Sequence, residues 1–84
     1  MTPEEVAEYN EEALICDGFD EAIIGVAERI NLGPVAAYSV EKVLEILMER
    51  DGMNYEEALE FFQYNIIGAW MGEYTPVFIY TNEE

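Results

Sequence analysis

Apolar residues recur at helical spacing near the start of the chain, which predicts an amphipathic helix of about three turns. Thr2 suits the N-cap, Pro3 suits the first helical position, and Glu5 completes a capping box. The apolar stripe runs from Val6 to Ala13. The other side of this helix is acidic, with Glu4, Glu8, Glu11 and Glu12.

A β-hairpin is predicted next, because two runs of branched and small apolar residues flank a short turn. The first run covers 22–30 and the second covers 35–38, with a turn over 31–34. Gly25 indicates a bulge in the first strand, and Pro34 is placed at the start of the second, where its missing N–H matters least. The connection is too short for a crossover, so we expect these two strands to be antiparallel.

Two helices and a last strand complete the pattern. Ser39 caps a helix that Gly52 ends, and Asn54 starts another helix with a second capping box at Glu57. Residues 75–81 have the β-branched and aromatic content of a strand. The predicted order is therefore α-β-β-α-α-β, an α+β fold with a small three-stranded, mainly antiparallel sheet and helices packed on one face. We expect a single compact domain over 1–84, with 1–2 and 82–84 frayed.

Charge changes this picture more than any motif does. Nineteen Asp and Glu residues against three Lys and Arg, with no His, give the 84-residue chain a formal net charge of -16. Such a surface repels phosphate backbones and anionic lipid headgroups, so we expect no direct binding to nucleic acid or membrane. Basic or nucleic-acid-binding proteins are the expected partners. The start of the chain lacks the basic and apolar pattern of a signal peptide, from which we expect a cytoplasmic location.

The missing histidine restricts the chemistry. It removes the commonest general base and the commonest transition-metal ligand, and the single Cys16 cannot complete a zinc site. We therefore predict that the protein is not an enzyme and that it binds no cofactor and no metal. The alternative is a divalent-cation site or a small enzyme, for which Asp17, Asp20 and Glu21 are weak candidates because hard cations prefer oxygen ligands. Their spacing does not match an EF-hand loop.

An acidic interaction face is the sharper prediction. Glu41, Glu45 and Glu49 form an i, i+4 ladder along the second helix, where like charges repel. With Glu4, Glu8, Glu11 and Glu12 they make a face that either binds a basic protein or only keeps the chain soluble. The alternative function is a nucleic-acid mimic that inhibits a DNA- or RNA-binding protein. Mimicry needs two rows of carboxylates, because one helix spaces them ~6 Å apart whereas DNA carries a charge every ~1.7 Å.

A second predicted surface is apolar and aromatic. It consists of Tyr64, Ile67, Trp70, Met71 and Tyr74. Trp and Tyr are enriched at binding hot spots, so an exposed patch of this kind favours a protein partner or self-association as a homo-oligomer. The alternative is that these side chains pack under the final strand.

Three stretches of the chain carry a resemblance to a known family. They are DGFDEAIIGVAERI (17–30), EKVLEILMERDGMNYEEALEFFQYNIIGAW (41–70) and GEYTPVF (72–78). Together they resemble a family of small acidic proteins of unassigned function encoded by bacteriophages and bacteria. The resemblance covers about 17–78 and implies no activity, cofactor or site residue. It implies a phage-infected bacterium as the setting, so we expect a non-enzymatic, phage-encoded, protein-binding module that acts on a host protein.

Overall fold

In a computed structural model, which describes residues 1–81, the elements follow the predicted order α-β-β-α-α-β. The helices are α1 (Pro3–Tyr9), α2 (Val40–Asp51) and α3 (Tyr55–Phe61), and the strands are β1 (Ile23–Arg29), β2 (Leu32–Ser39) and β3 (Val77–Ile79). A short 3₁₀ helix over Asp20–Ala22 precedes β1, and a π-helical segment over Phe62–Ile67 follows α3. The predicted fraying of 82–84 falls outside the described residues.

The three strands form one mixed sheet in the order β1-β2-β3. β1 and β2 pair antiparallel as predicted, whereas β3 pairs parallel to β2. A parallel pair needs a long crossover connection, and here α2, α3 and the π-helical segment supply it. The fold is therefore α+β, with the 3-residue β3 at one edge.

The hairpin turn is tighter than predicted. Arg29 pairs with Leu32, so the turn consists of two residues, and Asn31 takes a left-handed conformation with φ 61. β2 thus starts before Pro34, and our predicted turn over 31–34 was too long. The pairing register shifts just before Gly25, which confirms the bulge expected there.

Helix α1 is shorter than the three turns predicted. It spans 7 residues and ends at Tyr9. The side chain of Asn10 forms two hydrogen bonds that are incompatible with a continued helix. Its Oδ1 accepts the N–H of Glu12 (3.0 Å), and its Nδ2 donates to the carbonyl of Pro34 in β2 (2.9 Å). Asn side chains compete in this way with helical backbone bonds. Glu11 and Glu12 therefore follow the helix and do not lie on it.

The start of the chain, where we expected fraying, makes several hydrogen bonds. The side chain of Thr2 accepts the N–H of Glu5 and the side chain of Glu5 accepts the N–H of Thr2, which confirms the predicted capping box. The amino group of Met1 donates to the carbonyl of Ile23 at 3.2 Å. These bonds begin α1 and connect its start to β1.

The remaining helix ends follow the local signals in the sequence. Ser39 caps α2, and Gly52 ends it with a φ of 72, a left-handed value that favours glycine. Asn54 and Glu57 form the second capping box, and the π-helical segment ends at Gly68. Short-range chemistry fixes where α2 and α3 begin, and therefore which way their faces point.

All three helices contribute to one buried cluster with β2. Val6 of α1, Leu47 of α2 and Ala58 of α3 are buried in the same cluster as Ala36 and Tyr38. Alternate residues of a strand face the same side of the sheet, so the helices share one face of it, as predicted.

Tyr38 is the largest fully buried side chain of this cluster. Its ring stacks on Phe78 of β3 with 5.4 Å between centroids, and Phe78 meets Phe62 edge-on at 5.4 Å. Its hydroxyl accepts the N–H of Cys16 at 2.8 Å. Burial raises the pKa of Tyr38 to about 12, so the hydroxyl remains protonated at neutral pH.

We expect Tyr38→Phe to lower the free energy of unfolding by about 1 to 3 kcal/mol, because the substitution leaves the partly buried N–H of Cys16 without its acceptor. Urea denaturation measures the change. The matched control is Tyr64→Phe, at a side chain that is 80% exposed, where a change below about 0.5 kcal/mol is expected. Equal effects of the two substitutions would contradict a structural role for the Tyr38 hydroxyl.

Candidate functional site

The predicted ladder on α2 lies along one side of the helix, and the structure adds two acids beside it. Glu45 and Glu49 are exposed, and Glu41 is partly buried. The 3₁₀ helix packs against α2, so that Glu21 lines a groove of about 180 Å³ together with Glu45 and Glu49, and Asp20 lines the next groove with Glu49. We call these five residues the α2 acidic face.

The α1 glutamates occupy a different place. α1 packs against β1 and β2, whereas α2 packs against β2, α3 and the 3₁₀ helix. Glu4 and Glu8 are exposed on α1, and Glu11 and Glu12 are exposed in the turn that follows it. None of these four lines the grooves along α2 that the acids of the α2 acidic face line. The second row of carboxylates beside α2 therefore comes from the 3₁₀ helix, a contact for which the sequence carries no local signal.

The basic side chains offset only part of the charge of this face. Arg29 donates to the carbonyl of Gly33 (2.8 and 2.6 Å) and to that of Glu73 (2.9 Å). Arg50 donates to the carbonyl of Gly18 (2.8 Å) and pairs with Asp51, which is the only ion pair within residues 1–81. Arg50 also lines the groove of Asp20 and Glu49, and Lys42 lines the groove of Glu21 and Glu45. Neither cation forms an ion pair with the α2 acidic face within residues 1–81, and its five carboxylates outnumber them.

Glu41 is the one member of the face whose carboxylate is fixed by hydrogen bonds. Its Oε1 accepts the N–H of Thr81 at 3.2 Å and the hydroxyl of Thr81 at 2.9 Å, and the hydroxyl of Ser39 lies at 3.4 Å. Bonds from its own backbone N–H and from Thr81 hold the pKa of Glu41 below its usual value. The chain segment after β3 is therefore attached to the first turn of α2 through an ionised carboxylate.

The weak cation-site candidates do not come together. Asp17 lines a hollow with Met71 and Phe78, whereas Asp20 and Glu21 line a groove beside α2. Across the described chain, no group of three or more Asp, Glu or Cys side chains is placed to hold a metal ion. What the structure shows instead is that Asp20 and Glu21 extend the α2 acidic face.

A surface hollow beside α3 gives little support to catalysis. It has a volume of about 570 Å³ and includes Asp51 and Glu57 in its lining. Asp51 is paired with Arg50, and Glu57 accepts the N–H of Asn54 in the capping box, so both carboxylates already have structural partners. Burial raises the pKa of the Cys16 thiol, and the charge of Asp17 adds to the rise, which disfavours the reactive thiolate.

Four residues of the predicted apolar patch are exposed. Tyr64 is 80% exposed, Ile67 52%, Trp70 76% and Met71 54%. We call residues 64–71 the exposed segment. Tyr74 has a structural role instead, since it is partly buried, its ring lies under the guanidinium of Arg29, and its carbonyl accepts the N–H of Leu14.

Comparisons of this chain with models of protein families, with curated proteins and with solved structures found no match. The resemblance described from the sequence therefore remains an expectation. In the part of the chain that the structure describes, no helix has the length and apolar character needed to cross a membrane. The α2 acidic face and the exposed segment are the candidate sites on the strength of their own geometry.

We expect Thr81→Val to raise the pKa of Glu41 toward its ordinary value, because the substitution removes the hydroxyl donor at 2.9 Å and keeps the backbone donor. A folded-state pKa below the unfolded one stabilises the fold above the unfolded pKa, and this contribution is lost as pH falls through the folded pKa. Carboxyl-carbon NMR titration of wild type and variant measures the shift. Thr75→Val is the matched control, since Thr75 bonds to the 71–72 loop. An unchanged Glu41 midpoint in Thr81→Val would contradict this account.

Proposed function

We propose that this chain is a protein-binding module without catalytic activity, and that it binds a basic segment of another protein through the α2 acidic face. The observation that carries the proposal is the set of five carboxylates on and beside α2, none of which forms an ion pair within residues 1–81. A concentrated patch of one charge is complementary to a patch of the opposite charge, and such complementarity determines partner choice and association rate.

The physical behaviour of such a site follows from its exposure. Four of the five acids, all but Glu41, are exposed to solvent, so their attraction for a partner acts through water and is screened by salt. The field of a chain with net charge -16 accelerates encounter with cationic surfaces. Binding by the α2 acidic face is therefore fast and strongly dependent on ionic strength.

The resemblance to phage and bacterial proteins supplies the setting of the proposal. In a phage-infected bacterium, the partner is a host protein with a basic surface. A cytoplasmic location belongs to the same proposal, because host proteins that handle nucleic acid lie in that compartment.

A narrower form of the proposal is inhibition by nucleic-acid mimicry. One helical row places carboxylates ~6 Å apart, which is sparse beside a phosphate backbone. Asp20 and Glu21 supply a second line of carboxylates next to Glu49. This arrangement favours mimicry as the alternative, with the second row coming from the 3₁₀ helix and not from α1.

The test compares two triple variants that remove equal charge from different places. Glu21→Gln, Glu45→Gln and Glu49→Gln alter the α2 acidic face, whereas the control changes Glu4, Glu8 and Glu11 to Gln. Each protein is immobilised and exposed to bacterial lysate across a salt series, and captured proteins are identified by mass spectrometry. We expect wild type and control to retain basic proteins at low salt. We expect the α2 variant to lose most of this capture, because exposed charges at an interface act mainly on the rate of association.

The outcomes separate the forms of the proposal. Equal capture by both triple variants, or capture that persists at high salt, contradicts binding through the α2 acidic face. Captured nucleic-acid-binding proteins that duplex DNA displaces support mimicry. Captured basic proteins that duplex DNA does not displace support the broader proposal alone.

The exposure of Trp70 and Tyr64 favours a second candidate function, which is self-association through the exposed segment. Side chains of this size rarely stay exposed together on a monomer without a binding role. Their binding is apolar, so it resists salt, in contrast to binding by the α2 acidic face.

We expect sedimentation equilibrium to show a mass that rises with protein concentration, and Trp70→Ser to return the protein to a monomer because it removes the largest apolar side chain of the segment. Ile30→Ser is the control, at a side chain that is 89% exposed in the hairpin turn. A wild-type protein that stays monomeric at high concentration and high salt would contradict self-association.

A further inference from the structure

One groove on α2 is walled by two tyrosines that lie far apart in the sequence. It has a volume of about 220 Å³ and is lined by Val40, Glu41, Leu44, Glu45, Met48, Tyr55 and Tyr80. Tyr55, at the start of α3, is 57% exposed, and Tyr80, just after β3, is 66% exposed. Val40 and Leu44 are buried and form the apolar base. We call this the tyrosine groove.

We propose that the tyrosine groove receives the side chain of one lysine or arginine from the basic segment that the α2 acidic face binds; this inference rests on the proposed function. Lysine and arginine have an apolar stem and a charged end, and the groove offers an apolar base below and carboxylates beside it. Tyrosine rings attract a cation placed over their faces. The chemistry of the groove therefore matches both parts of a basic side chain.

The charge of the groove selects this occupant over others. Glu41 and Glu45 both line it, and the chain's own Lys42 lines the neighbouring groove instead. A neutral apolar side chain would fill the base and leave two carboxylates in a less hydrated position without a counter-charge, which is unfavourable. An acidic segment would be repelled. A cation from outside the chain satisfies both carboxylates.

The groove is also partly preorganised. The bonds from Thr81 hold Oε1 of Glu41 in place, so this carboxylate does not have to be ordered when a ligand arrives. The volume of about 220 Å³ lies below the ~300 to 1,000 Å³ of pockets that enclose a whole small molecule. One side chain of a longer segment fits these dimensions better than a free metabolite does.

The experiment titrates the protein with tetralysine amide at low ionic strength and follows amide and methyl NMR signals. We expect the methyl signals of Leu44 and Met48 to shift. We expect Tyr80→Leu to weaken binding about two- to fivefold, since an exposed cation–π contact contributes about 0.5–1 kcal/mol. Tyr55→Leu tests the other wall, and keeps the proposal testable if Tyr80→Leu disturbs β3.

The matched control is Tyr9→Leu, at a tyrosine of α1 that is 61% exposed and also has glutamates close to it in sequence. All three variants keep the net charge, so an effect of charge alone predicts equal affinities. Binding that Tyr9→Leu leaves intact and either groove variant weakens supports the proposal.

Two results together overturn the proposal for the tyrosine groove: all three variants bind tetralysine equally, and binding is still lost on Glu45→Gln and Glu49→Gln. The proposed function would then stand. Failure of wild type to bind tetralysine at all overturns both.

Discussion

The burial of Tyr38 is the constraint on which the rest of this structure depends. β3 contributes only 3 residues to the sheet, too few to hold an edge strand by backbone pairing alone. The stack of Tyr38 on Phe78, and the contact of Phe78 with Phe62, join β3 and the π-helical segment to the central strand. α2 begins directly after β2, with Ser39 as its cap. The position of Tyr38 thus determines where α2, and the acids along it, stand relative to the sheet.

The chain separates acids that build the fold from acids that are left for other uses. Glu5 and Glu57 close capping boxes, and Asp51 pairs with Arg50. The α2 acidic face has no comparable structural partner apart from the bonds of Glu41 to Thr81 and Ser39. The two arginines bond to backbone carbonyls and Lys42 lines one groove of the α2 acidic face, so the three cations offset only part of the negative charge on and beside α2. That division is why the proposed function rests on α2 and not on the acidic composition as a whole.

Local signals were enough to predict the order of elements and the caps of the helices, because a capping box or a left-handed glycine involves residues close in sequence. The errors arose where contacts between residues distant in sequence determine the local structure. α1 stops early because Asn10 bonds to Pro34, and the hairpin turn shortens because of how β1 and β2 pair. The ladder on α2 was visible from its spacing. The contributions of Asp20, Glu21, Tyr55 and Tyr80 to the surfaces around α2 were not, since each depends on packing between separate elements.

The short parallel strand has a consequence for how this protein behaves as a whole. β3 pairs with β2 across a long stretch of chain, Ala37 with Val77, and only its 3 residues are held in the sheet. Tyr80 and Thr81 follow it directly, and both belong to the surroundings of Glu41. A ligand that fills the space between Tyr55 and Tyr80 therefore also stabilises the pairing of β3 with β2, by mass action. Ligand binding in the tyrosine groove and the pairing of β3 with β2 are thermodynamically coupled.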